Sequence, residues 1–325
     1  MASLASSPTR EPGLHARFRA DVLAGLAQER KAIPARWFYD LRGSELFEQI
    51  TDLPEYYPTR TEIAILRQCC GEVAEIVGKG RSVVEFGAGS ATKTPLLLDR
   101  VEPSSYVPID ISGEFLRESC KDIKARYPAL PIFPVEADFT RALSIPAHVP
   151  GERRLGFFPG STIGNMTPAA AVDMLREMRE TLGDGSCLLI GMDRIKAREV
   201  LTAAYDDTAG VTAAFNRNLA ERINRELDGT IPLDALRHKV VWNDQRARVE
   251  MHLEALRAIG FEVSGRHFEM RAGETIHTEN SHKYDPRSAG TLLLAGRWEP
   301  VRTWSDADDR FLVVLARAVG EAVSA

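Results

Sequence analysis

The chain has 325 residues, 44% of them hydrophobic, which is enough for one large domain or two ordinary ones and shows no bias toward disorder. Its net charge of -5, from 41 basic against 46 acidic residues, argues against a nucleic-acid surface, because a phosphate binder carries a basic excess. Its four cysteines, at 69, 70, 120 and 187, form no CxxC pair, which speaks against a disulfide framework or a zinc ribbon and suits a reducing, cytoplasmic setting.

The opening stretch MASLASSPTREPGLHARF lacks an apolar core of signal length. No apolar run approaches the roughly 18 residues that cross a bilayer. Neither nucleic acid nor membrane is therefore an expected partner, and residues 1–13 are expected to form a flexible tail. Amphipathic periodicity predicts helices over 14–29 and 61–77. Strand-like apolar runs then follow at 82–87, 105–110, 131–139, 154–160 and 186–193, with helical stretches at 92–100, 112–126 and 168–182 between them. Strands alternating with helices mean crossover units and a parallel sheet with helices on both faces.

After 193 the alternation stops. Residues 195–227 read as one long helix, and 237–244, 248–259 and 261–273 read as antiparallel strands. From 283 the pattern predicts a helix, then a hairpin from EPVRTWSD and FLVVLARAV closing the edge of the first sheet. The expected class is α/β, a doubly wound Rossmann-like core of 61–196 and 284–325 with an inserted α+β unit. The insertion, 197–283, is expected to join 14–60 as a substrate-binding domain.

The turn after the first strand, VVEFGAGSATKT (83–94), carries Gly87 and Gly89. A dinucleotide fingerprint would continue to a third glycine, and Thr92 stands there instead. An acid, Asp110, ends the next strand and can hold ribose hydroxyls. The third strand ends in Asp138-Phe139, which suits an adenine: the carboxylate accepts from its amino group and the ring covers a face. This favours S-adenosylmethionine over a nicotinamide dinucleotide. A bare strand–helix turn at the glycines, and helix caps at Asp110 and Asp138, are the structural alternatives.

Four segments are placed to choose a substrate. WFYDLRGSELFEQITDLPEYYPTRTE (37–62) concentrates aromatics as a cationic amine would need, or as a hydrophobic hinge would. FFPGSTIGNMTP (157–168) follows the fourth strand, at the edge where open sheets bind ligands, and Asn165 there can hold a carboxylate or amine, or cap a helix. AYDDTAGVTAAFNRN (204–218) brings Tyr205. In IHTENSHKYD (276–285), Glu279 and Ser281 are two apart and share a strand face. A carboxylate and a hydroxyl can serve the two nitrogens of an imidazole. His277 and His282 have no third ligand at recognisable spacing, so no metal is expected, and His252 reads as structural.

Together WFYD, LPEYYPTRTE, EFGAGS, GSTIGN, AYDD, AGVTAAFNRN and TENSHKY resemble the histidine-specific Nα-methyltransferases of ergothioneine biosynthesis, from about residue 14 to the end. The resemblance implies transfer of three methyl groups from S-adenosylmethionine to the α-amine of L-histidine, giving hercynine and S-adenosylhomocysteine. It implies that Tyr56, Asn165 and Tyr205 hold the amino-acid end. Glu279 and Ser281 would hold the imidazole, with Met251 lining the ring pocket. Tyr39 and Phe47 would stand beside the reacting nitrogen. Gly87, Lys93, Asp110, Asp138 and Phe139 would hold the cofactor, and Gly160 and Thr162 would shape the turn between the ligands. A monomer is expected. The alternatives are a methyltransferase for a tryptophan-type amine, a nicotinamide dehydrogenase, or an adaptor that keeps the fold and docks through its aromatic segment.

Overall fold

The structure is a computed structural model that describes residues 13–141, 143–147, 149 and 153–320. The expected tail thus lies almost wholly outside the described residues. Three helices come first: α1 (Leu14–Leu26), α2 (Leu41–Thr51) and α3 (Tyr57–Val77). The alternating part follows as β1 (Ser82–Phe86), α4 (Thr94–Val101), β2 (Ser105–Asp110), α5 (Gly113–Arg126), β3 (Val135–Glu136), β4 (Leu155–Phe158), α6 (Pro168–Leu182) and β5 (Cys187–Asp193). Next come α7 (Arg198–Ala203), α8 (Val211–Glu226), β6 (Leu236–Asn243), β7 (Arg248–Ala255), β8 (Ile259–Val263), β9 (Arg266–Met270) and β10 (Thr275–His282). The chain closes with α9 (Pro286–Ala295), β11 (Trp298–Ser305) and β12 (Phe311–Ala318).

Among the described residues the main sheet runs β11-β12-β5-β4-β1-β2-β3. β1 pairs in parallel with β2 and β4, β4 pairs in parallel with β5, and β12 pairs antiparallel to β5. The chain winds outward in opposite directions from β1 and β4, so their carboxyl ends form the crevice where doubly wound sheets bind ligands. Inner strands such as β1 and β5 are buried on both faces, and for that reason they read as continuous apolar runs. Val83, Tyr106 and Leu155 pack with Ile65 and Leu66 of α3 on one face. Val84, Val107 and Leu188 pack with Met174 of α6 and Leu293 of α9 on the other. The α/β doubly wound class and the closing hairpin are as the sequence predicts.

A further core gathers Phe18, Trp37 and Leu46 from the first sixty residues with Leu201, Phe215 and Ile276 from beyond β5. Its sheet is β10-β7-β6, with β8-β9 as a separate hairpin.

Local expectations needed correction in four places. The helix predicted over 195–227 is broken: Asp207 accepts from the backbone N–H of Val211 (2.9 Å) and Thr212 (2.7 Å), which starts α8 afresh after Gly210 at φ 74°. The loop so made carries Tyr205. The strand predicted over 131–139 is regular only at 135–136, so Asp138 and Phe139 sit just past its end. The two strands expected over 248–273 are three, because the chain turns between Ala255 and Ile259 and again at Ser264-Gly265, both at positive φ. Helix α3 starts at Tyr57 rather than 61, with Pro58 in its first turn, a position that needs no backbone N–H.

Candidate active site

A cavity of 920 Å³ opens at the carboxyl ends of β1, β2 and β4. Behind it lies an inner pocket of 40 Å³, set into the core shared by the first helices and the β10-β7-β6 sheet. Tyr39, Phe47, Tyr56, Gly160, Thr162, Asn165 and Glu279 line both and form the passage between them. Gly87, Lys93, Asp110, Asp138 and Phe139 line only the outer cavity, while Tyr205, Met251 and Ser281 line only the inner one. All the site residues expected from sequence are thus brought to one continuous space.

The outer cavity is shaped for a ligand that lies close to backbone. Gly87 takes φ 71° and Gly89 φ 52°, where other residues are strained, and a Cβ on Gly87 would stand 3.3 Å from the Phe139 ring. Asp110 accepts from the backbone N–H of Gly89 (3.0 Å) through one oxygen and of Ser112 (2.9 Å) through the other. Each oxygen keeps a second lone pair for a hydroxyl. Burial pushes this carboxyl above its ordinary range, and the backbone donors pull it back. Asp138 spends Oδ1 on the amide (3.1 Å) and hydroxyl (2.6 Å) of Thr140, leaving Oδ2 toward Arg36 at 3.7 Å. Phe139 stands edge to face with Phe158, ring centroids 5.8 Å apart. A cradle of open glycines, a carboxylate with spare lone pairs and an aromatic face fits an adenosine-bearing cofactor.

Lys93 lines the outer cavity and is also held from the protein side. Its ammonium is bound to Glu62 at 2.6 Å, and Glu62 also accepts from the backbone N–H of Gly160 (2.9 and 3.1 Å). Glu62 is only 1% exposed and was not singled out from sequence, because a glutamate within a helix gives no sign that it faces a sheet edge. It clamps the loop after β1 to the turn after β4. Glu85, which precedes the loop, is buried too and accepts from Thr94 (2.7 Å) and Tyr106 (2.6 Å); burial pushes its carboxyl to about 7.

The passage is aromatic. Tyr39 and Phe47 meet edge to face at 5.8 Å, and Phe47 meets Tyr56 at 6.2 Å. Burial, then the nearby Glu279 carboxylate, hold the Tyr39 phenol well above its ordinary pKa, so it keeps its proton. In the inner pocket β10 pairs with β7 so that Glu279 faces Met251, with a bulge just before Glu279. Glu279 accepts from Asn165 Nδ2 at 3.2 Å, and Ser281 Oγ lies 2.6 Å from Tyr205 OH. Burial pushes Glu279 to about 8, against the pull of Lys283.

The two histidines part company. His282 Nδ1 bonds the carbonyl of Gly164 at 2.9 Å, where the turn after β4 and strand β10 approach so closely that a Cβ on Gly164 would meet His282 O at 2.8 Å. His277 instead stands by His252 and Glu250 of β7, one ligand atom of each within 4.8 Å of the others. Sequence spacing missed this trio because it forms across the β7–β10 pairing. Arg248 (2.6 Å) and Asn243 (2.9 Å) already hold the Glu250 carboxylate, and burial followed by the charge of His252 pushes His277 down to about 4.

Residues 18–318 match the family of SAM-dependent, histidine-specific methyltransferases. The chain is 42% identical to the histidine N-alpha-methyltransferase of Mycolicibacterium smegmatis over 92% of its length and 94% of that protein's. It is 40% identical to the enzyme of that name from Mycobacterium tuberculosis, over 93% and 95% respectively. In fold it resembles an S-adenosylmethionine-dependent methyltransferase from Clostridium acetobutylicum, with TM-score 0.50 and 12% identity over 85% of this chain and 99% of that one. The chain belongs to the histidine-specific, SAM-dependent methyltransferases.

Proposed function

We propose that this enzyme methylates the α-amino group of L-histidine three times, yielding hercynine and three S-adenosylhomocysteine, as the first step of ergothioneine biosynthesis. The observation that carries the reading is the pairing of the two compartments. A cavity lined by Gly87, Asp110, Asp138 and Phe139 opens through an aromatic passage onto a pocket walled by Glu279, Ser281 and Met251. A ring held there and a cofactor held outside would meet at Tyr39 and Phe47.

Gly87, Asp110, Asp138 and Phe139 would hold the cofactor, which supplies an electrophilic methyl on a positive sulfonium. Lys93, held by Glu62 at the cavity wall, would join them. Glu279 and Ser281 would take the two ring nitrogens, with Met251 against the ring. Asn165 and Tyr56 would orient the amino-acid end from the mouth of the pocket, and Tyr205 from inside it, beside Ser281. An α-ammonium has no lone pair, so it must lose a proton before each attack, and each transfer makes one N–C bond as one S–C bond breaks. Tyr39 keeps its own proton, so its oxygen lone pair would orient the amine and steer its departing proton without taking it as a base. Positive charge on the nitrogen becomes permanent at the third methyl, and the Phe47 ring face is placed to stabilise it.

Residues 14–60 and 197–283 would act as the substrate-binding unit and the rest as the cofactor unit, a division that the shared core of Trp37, Phe215 and Ile276 supports. Among the described residues no helix is long and apolar enough to cross a membrane. The four cysteines are free, which supports a reducing cytoplasm, and we take the enzyme to work as a monomer on small molecules alone, without nucleic acid.

The test is to incubate the purified protein with S-adenosylmethionine and L-histidine, without added metal, and follow substrate mass. Growth of a species three methyls heavier is expected. Unmodified histidine beside methylated tryptophan would overturn the assignment of Glu279 and Ser281.

A further inference from the structure

We propose that Lys283, acting through Ser281 and Tyr205, makes the inner pocket selective for an uncharged imidazole whose bare nitrogen faces those two hydroxyls. The proposal rests on reading this pocket as the imidazole site.

Lys283 has no exposed side-chain surface. Its ammonium has three hydrogens, and three acceptors surround it: Asp193 Oδ2 at 2.7 Å, Ser281 Oγ at 2.8 Å and Tyr205 OH at 2.9 Å. Both hydroxyl oxygens therefore already accept. They also lie 2.6 Å from each other, so one donates to the other. Two hydroxyls own two hydrogens, one is spent on their mutual bond, and the second is left for the pocket that both residues line. The pair thus presents a donor. A cation directly behind it favours a ligand lone pair over a ligand N–H.

Other groups sharpen this bias. Asp193 is shared with Lys196 (2.6 Å) and accepts from Tyr57 OH (2.7 Å); burial pulls Lys196 down to about 8, so below that pH two charged lysines face one carboxylate. Despite burial, Lys283 and Lys196 hold Asp193 below its ordinary range. Across the pocket Glu279 is the one carboxylate among the lining residues. A neutral ring satisfies both walls, with N–H to Glu279 and bare nitrogen to the hydroxyls. An imidazolium would aim its second N–H at a donor backed by a lysine.

The experiment compares histidine with β-(1,2,4-triazol-3-yl)alanine, whose ring stays uncharged over the working range, as the pH is lowered from 8 to 5.5. The amine, Glu279, Asp193, Lys196, Tyr57 and Tyr205 are common to both substrates, so the difference between the two profiles isolates the ring. Below the ring pKa of about 6.5, KM for histidine is expected to climb by about tenfold per pH unit relative to the triazole. In Lys283→Gln that extra climb should flatten, with KM for histidine at pH 8 raised about tenfold and kcat and the cofactor KM within about threefold. Parallel profiles for the two substrates in the wild-type enzyme would overturn the proposal, and that readout survives even if the variant fails to fold. An equal loss in kcat, cofactor binding and KM in a folded Lys283→Gln would overturn it too. If histidine is not methylated at any pH, the functional reading fails instead.

Discussion

Asn165 donates to Glu279 across 3.2 Å, joining the turn after β4 to strand β10 at the mouth of the inner pocket. The bond fixes one oxygen of a carboxyl whose burial pushes it up to about 8. Below that pH the empty pocket holds Glu279 protonated. Binding a neutral ring through its N–H then releases a proton, so affinity should rise with pH up to about 8 and level off above. Hercynine is the clean probe, because its trimethylated nitrogen does not titrate. In titration calorimetry with S-adenosylhomocysteine present, its affinity should rise between pH 7 and 8 for the wild type and stay flat for Glu279→Gln. A wild-type affinity unchanged over that interval would remove Glu279 from the ring.

Truncating the same side chain tests its energetic weight. Glu279→Ala leaves an imidazole N–H and Asn165 Nδ2 without their acceptor, a loss of roughly 1–3 kcal/mol, or about five- to 150-fold in KM for histidine. The cofactor KM should hardly move. An unchanged histidine KM would refute the imidazole role.

Tyr39 lies in a different regime. Its phenol keeps its proton because burial and Glu279 both oppose ionisation. Tyr39→Phe should therefore lower kcat modestly, about three- to thirtyfold, by loosening the amine, without deleting an ionisation from the kcat profile between pH 7 and 10. Disappearance of an ascending limb, where kcat rises with pH in the wild type and not in the variant, would show that the phenolate is the base.

On the cofactor side, Asp110 braces its own loop as well as facing the cavity, through Gly89 N–H and Ser112 N–H. Asp110→Asn keeps the shape but replaces one acceptor oxygen with a donor. Binding of S-adenosylhomocysteine should weaken about ten- to a hundredfold, with histidine affinity measured at saturating cofactor little changed. A loss confined to histidine would contradict the assignment.

Much of this was legible because it is local. The Gly87–Gly89 turn, the apolar runs of β1 and β5 and the i, i+2 spacing of Glu279 and Ser281 each follow from a short window of residues. What escaped depends on contacts between distant segments. Asp207 interrupts a stretch whose periodicity is helical throughout, because its two capping bonds outweigh propensity at the Gly210 turn. The Glu250, His252 and His277 trio needs the β7–β10 register, which no spacing within one strand reveals. Glu62, the partner of Lys93, lies on a helix outside the loop, so no window around the loop points to it.

That partnership yields the last prediction. Glu62 is buried at the centre of three attachments: Lys93 Nζ, the Gly160 N–H, and a close approach to β5, where a Cβ on Gly191 would fall 2.0 Å from Glu62 Oε1. The carboxylate sits in room left by Gly191, beside the Phe311 ring, where it reaches both donors. Glu62→Gln keeps the volume and one acceptor oxygen but removes the charge facing Lys93. Removing one partner of a buried ion pair costs up to about 3–5 kcal/mol, and the partial exposure of Lys93 at 15% places this site nearer 2 kcal/mol. Denaturant unfolding should show a lower midpoint with an unchanged slope. Because Lys93 and the Gly160 turn are fastened by the same carboxylate, affinities for cofactor and histidine should fall together. If stability dropped while both affinities held, Glu62 would be a structural anchor only, and Lys93 would reach its ligand without it.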